Sequence, residues 1–205
     1  MSLRSCALTP EIITGMAALA ELPEWTADAL DGVVDRTGWL PQRDSRSQAD
    51  PDHTVVFAEP EFAGDHRWAY VSTALYYEPD PEDEPEDDEL AQPSDAWNAW
   101  ALNATADRAA FDAEWNAHRD AITAVLGRAP ATTVTEPEFG WRAALWPCGE
   151  HALAFAQTED FDSYSLFDMA ALWVCRRPTT PPEPSPDDAY RWMREFPAIL
   201  AAAGN

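Results

Sequence analysis

The sequence predicts an α+β protein, a mainly antiparallel sheet of about five or six strands with helices packed against it. Three observations carry this reading. Segments of helical period with clear start signals open near residues 10, 94 and 186. Runs of strand character in the second half follow one another at hairpin distance, which favours antiparallel pairing. Strand and helix do not alternate regularly, which argues against a doubly wound parallel sheet. The 205 residues suit a single domain over 1–205.

Thr9-Pro10-Glu11 supplies an N-cap, a proline at the first helical position and an acid in the first turn. With Leu8 and Ile13 spaced as a hydrophobic staple, this predicts a helix from Pro10 to Leu22. Pro23-Glu24 restarts a second helix that turns Trp25, Leu30, Val33 and Val34 inward and ends before Gly38. Residues 41–53 are polar and turn-rich and read as a loop. Thr54 to Ala58 is a short β-branched strand. Arg67 to Tyr77 is a longer one, setting Trp68, Tyr70, Ser72, Ala74 and Tyr76 against Ala69, Val71, Thr73, Leu75 and Tyr77. Both sets carry apolar groups, as in a central strand.

Residues 78–89 hold nine acids and three prolines in twelve positions. Self-repulsion and proline predict a solvated, extended loop, acidic and proline-rich over 78–93. Ser94 then opens a helical region to Leu126, with Trp97, Trp100, Ala104, Phe111, Trp115, Ile122 and Val125 near one stripe. A break at Asn103 to Asp107, giving two helices, is the alternative. Gly127 and Pro130 close the region. Ala131 to Thr135 leans to strand, and Trp141–Trp146 and His151–Gln157 form two more strands about a Pro147-Cys148-Gly149-Glu150 turn. Met169 to Arg176 is a further strand. A proline-rich linker at 178–186 leads to a capping box at Ser185-Pro186-Asp187-Asp188 and a last helix to Ala203.

Charge is the most extreme feature: 37 acidic residues stand against 13 basic ones, all arginine, for a net charge of −24. Such a field repels phosphate backbones and anionic lipid, so no direct nucleic-acid or membrane-surface partner is expected. It suits a basic protein partner, or imitation of a polyanion. The absence of lysine excludes Schiff-base lysines and a P-loop lysine. Three cysteines without a spacing repeat suit a reducing compartment. Arg4 and Ala18-Leu19-Ala20 imitate a secretory signal, but Pro10 and Glu11 interrupt its apolar segment, and a cytoplasmic location is expected. Most of the ten tryptophans must serve the core, leaving a few for surfaces.

Chemistry-bearing patterns are sparse. The sequence lacks nucleophile-elbow, dinucleotide-binding, Walker and zinc-protease motifs, and its eight glycines never cluster. The expectation is therefore no catalytic residue, no metal site and no cofactor. Glu159, Asp160 and Asp162 form a local carboxylate group, without the glycine and distal glutamate of an EF-hand. His151 follows Cys148 by three residues, a pairing that can activate a thiolate but here brackets a tight turn. His118, on the helix, reads as a boundary residue between core and surface, satisfied by a neighbouring carbonyl or carboxylate. The acids Glu150, Glu159, Asp160, Asp162 and Asp168, interleaved with Phe161 and Tyr164, make the expected partner-binding patch: aromatic anchors among carboxylates that face a basic protein.

Leu126-Gly127-Arg128-Ala129-Pro130, Gly140-Trp141-Arg142, Leu145-Trp146, His151-Ala152-Leu153-Ala154 and Glu159-Asp160 give residues 126–176 a texture of their own. There the chain resembles small uncharacterised actinobacterial proteins, some similar to immunity proteins of polymorphic toxin systems. The resemblance implies an acidic α+β binder that neutralises a basic toxin domain, and it carries over no catalytic residue. The expected function is thus an immunity-type, protein-binding inhibitor. The alternatives are a polyanion mimic that occupies a nucleic-acid-binding protein, and an enzyme on an unrecognised scaffold.

Overall fold

The computed structural model describes residues 1–42, 46–50, 52–57, 68–79, 88–92, 100–135, 140–160 and 167–176. Their order is β1 (Ser2–Ser5), α1 (Pro10–Ala20), α2 (Ala27–Thr37), β2 (Leu40–Pro41), β3 (Arg46–Asp50), β4 (His53–Phe57) and β5 (Trp68–Tyr77). A 3-10 turn at Glu89–Ala91, β6 (Ala101–Asn103), α3 (Arg108–Leu126), β7 (Thr132–Thr135), β8 (Arg142–Cys148), β9 (His151–Glu159) and β10 (Asp168–Arg176) follow. The class is α+β as expected, with an antiparallel sheet, but among the described residues the sheet has ten strands where about five or six were expected. The predicted helix after Ser185, the acidic residues 80–87, and Phe161, Asp162 and Tyr164 lie outside the described residues.

The helices begin where a side chain can take up their free N–H groups. Thr9 accepts from the Ile12 amide at 3.3 Å, as its spacing predicts. The second helix starts at Ala27, later than the Pro23-Glu24 signal, because Thr26 is the cap and accepts from Ala29 at 3.2 Å. The intervening turn is held by Trp25, whose indole donates to the Leu19 carbonyl at 3.2 Å. Asp107 caps α3, so the break anticipated at Asn103 to Asp107 is real. Before it, Ala101–Asn103 is a strand and not a helix. The left-handed Gly38 and Gly127 end α2 and α3.

The sheet runs β2-β3-β4-β5-β10-β9-β8-β7, with β1 and β6 as a second branch on β5. One edge of β5 pairs along its length with β10, from Trp68 opposite Cys175 to Tyr76 opposite Asp168. Its other edge is shared end to end: Ala69 to Val71 pair with β4, and Ala74 to Tyr77 pair with β1. The fork lies at Thr73. There the ladder to β10 skips a residue, the Thr73 carbonyl accepts from the Cys6 amide at 2.8 Å, and its hydroxyl donates to Ala170 at 3.1 Å.

This bulge also changes the facing of β5. A bulge adds one residue and so inverts the alternation beyond it. Ala69 and Val71 therefore share a face with Ala74 and Tyr76, whereas Tyr70 shares the other with Leu75 and Tyr77. The uninterrupted alternation expected over Arg67–Tyr77 is corrected accordingly.

The first face meets α1 and α3. Phe111, Trp115, His118 and Ile122 form the buried stripe of α3, and Trp115 stacks on Phe155 of β9 at 5.9 Å while its indole donates to the Phe155 carbonyl. On the other face Trp68, Tyr70 and Trp173 group together, the last two at 4.5 Å, above small residues such as Ala152, Ala154 and Ala156. Central strands are thus apolar on both faces, as the composition of β5, β9 and β10 requires.

Candidate functional site: the acidic end of the sheet

Register brings both acidic stretches of the sequence to one end of the sheet. Asp168, which opens β10, stands opposite Tyr76 of β5 and Glu159, the last residue of β9. Asp160 follows, its amide donating to the Phe167 carbonyl at 2.9 Å. β5 ends at Tyr77 and continues into Glu78, so the chain enters the acidic stretch here. It returns to the same place at Asp88, which accepts from the Ser2 hydroxyl at 2.5 Å, and Ser2 is opposite Tyr77. Arg4 fixes the return by donating to the Leu90 and Gln92 carbonyls at 2.6 and 3.0 Å. Residues 78–89 and 159–168 hold thirteen acids and no basic residue, and both stretches are anchored at this end.

The arginines nearby are turned inward. Arg108 at the start of α3 bonds Asp168 at 2.9 Å and lies 3.5 Å from Asp112. Arg142 of β8 meets Asp112 at 2.8 Å. Gln157 of β9 completes the network, donating to Asp112 at 3.0 Å and accepting from the Arg142 amide at 2.9 Å. These bonds engage both guanidinium groups with internal carboxylates.

Burial pushes the Asp168 carboxyl above the usual carboxylate range. Arg108 and a hydrogen bond from Trp141 pull it down, and Glu78 and Glu159 push it up. Burial, reinforced by Glu78, likewise raises the Tyr76 phenol to about 12.

Of the expected patch, Glu159, Asp160 and Asp168 come together here. Glu150 does not: it lies in the turn before β9, at the opposite end of that 9-residue strand from Glu159, roughly 30 Å away at strand rise. The geometry of the β8–β9 turn explains this, since Cys148 pairs directly with His151 and Gly149 takes a left-handed conformation. At that far end, Cys148 Sγ accepts from Arg128 at 3.2 Å and His151 stacks on Trp25 at 5.6 Å. Sequence reasoning missed Arg108, Asp112, Arg142 and Gln157. Two signals were present: the Arg108–Asp112 pair one helical turn apart, and Gln157 as a polar residue closing an apolar strand.

Among the described residues, no group of three or more His, Cys, Asp or Glu side chains is placed to hold a metal ion. No described helix is long and apolar enough to cross a membrane. No family model, curated protein or solved structure matches the chain. Fold and site therefore define a class only: an antiparallel α+β protein with an acid-rich sheet end.

Proposed function

We propose that this protein is an acidic protein-binding module, most concretely an immunity-type inhibitor that occludes a basic partner. One observation carries the reading. Two acidic stretches about eighty residues apart in sequence are rooted at the same sheet end, while Arg108 and Arg142 are held by internal carboxylates. Such a concentration of one sign steers a cationic partner and accelerates its capture. Catalysis by the module itself has no part in this mechanism, which is occlusion of the partner's cationic surface.

The test is co-expression with the product of the adjacent gene, followed by measurement of affinity and association rate against salt. Binding is expected, with an association rate that falls steeply as salt rises. Replacing Glu78, Glu89 and Glu159 together by glutamine should slow association at least about tenfold. A matched triple at Glu21, Glu24 and Glu150 should not. Failure to bind, or equal effects of the two triples, would overturn the proposal.

A further inference from the structure

His118 is the one polar member of the buried α3 stripe, and it is 5 % exposed. It reaches the fork on β5. From the turn after β1, the Cys6 backbone accepts a hydrogen bond from the ring. From β4, His53, itself 3 % exposed, acts on it electrostatically; the Val55–Val71 register carries His53 toward Thr73 at the centre of the fork. From β9, the Phe155 ring meets it edge-on at 5.8 Å. Among the described residues the Nδ1 atom of His118 is buried without a hydrogen-bond partner. The boundary role expected for this residue is therefore only half right: a carbonyl satisfies one nitrogen, but the site is core.

A neutral ring fits this place, with one N–H donating and the other nitrogen bare. A protonated ring does not fit, because the new N–H has no acceptor among the described residues and a second histidine is its electrostatic neighbour. Buried polar groups without partners are exceptional and call for a reason. We propose that His118 and His53 form a proton-operated latch, in which acid charging of His118 frees α3 from the fork joining β1 and β4 to β5. The rest of the ladder, β5-β10-β9-β8, stays closed while the fork opens. Burial first, then His53, lowers the His118 imidazole to about 4 from its ordinary 6.5, while Cys6 opposes the shift. Among the described residues no carboxylate is one of the groups acting on it.

The sign follows from linkage. In the opened state the ring titrates at its ordinary value, so opening takes up a proton as pH falls from 6.5 toward about 4. The opening equilibrium should grow about tenfold per pH unit across that window and stay flat above it. Amide exchange resolved by NMR, with intrinsic rates divided out, reads this at Cys6 and Val55 against Phe155 and Leu172. The expected result is acid-dependent opening at the first pair and none at the second. His118→Phe, which keeps a ring against Phe155, should abolish the pH dependence, and His53→Gln should narrow its window from the acid end. Equal acid response in His118→Phe and wild type would overturn the latch. Should His118→Phe not fold, the wild-type ring decides. Titration of His118 without loss of protection at Cys6 and Val55 would also overturn it.

Discussion

Arg108 and Asp168 meet at 2.9 Å across sixty residues of chain, the first residue of α3 bonded to the first residue of β10. The pair ties the long helix to the sheet end where the acids gather. Its side chains are 29 % and 25 % exposed, so solvent screening tempers its strength. The larger effect of Arg108 is on its neighbours, because Asp168 stands beside Glu159 and Glu78.

Arg108→Met should therefore destabilise the fold by about 1–2 kcal/mol at neutral pH. A carboxyl raised in the folded state keeps its proton while the unfolded chain has already lost it, so its penalty grows as pH rises through that window. Removing the arginine raises the carboxyl further. Urea melts should show the Arg108→Met deficit larger at pH 7 than at pH 4, and the added Asp168→Asn change should recover part of it.

Gly15 lies on the buried face of α1, and a Cβ there would collide with the indole of Trp39, which is 4 % exposed. Alanine is ordinarily the better helix former. Here Gly15→Ala should destabilise by about 1–3 kcal/mol through overpacking, a sign that thermal melts read directly.

Thr26→Ala should cost about 1 kcal/mol, the usual value of a lost N-cap. Glu24→Ala should leave stability within about 0.5 kcal/mol, as for an exposed position without such a role. Equal losses at the two positions in denaturant titrations would contradict the observed start of α2.

Trp115→Ala should cost about 3–5 kcal/mol. The change opens space against Phe155 and removes the donor to its carbonyl. Trp115→Phe restores the stack but not the hydrogen bond and should fall between, in the same melts.

Helix ends were legible where their signals are local: Thr9 and Gly127 act within a turn of themselves, whereas Asp107 was read only as part of an alternative break and not as a cap. The strands of the second hairpin were legible for the same reason. Strand β1 was not. It is 4 residues long, and its partners lie at Ala74–Tyr77 and Ala101–Asn103, so no nearby pattern announces it. Residues 41–53 read as loop because Arg46, Ser47 and Gln48 show no apolar period; ladder hydrogen bonds to β4, and not a hydrophobic face, make β3 a strand. The acidic end was half legible. Glu159, Asp160 and Asp168 are close in sequence, but their meeting with Glu78 and Asp88 depends on the register of β5 against β10 and β1.

Thr73 splits β5 into two lengths with opposite phase, and each length carries its own branch. Among the described residues β6 pairs with β1 alone, and β1 reaches the sheet through β5 alone. The branch is thus a series circuit. A break anywhere in Ser2–Ser5 disconnects β6 as well, and with it the Ser2 and Arg4 bonds that hold Asp88, Leu90 and Gln92. The charge of the acidic end belongs to distant parts of the chain, but the return of its first stretch at Asp88 hangs on four residues.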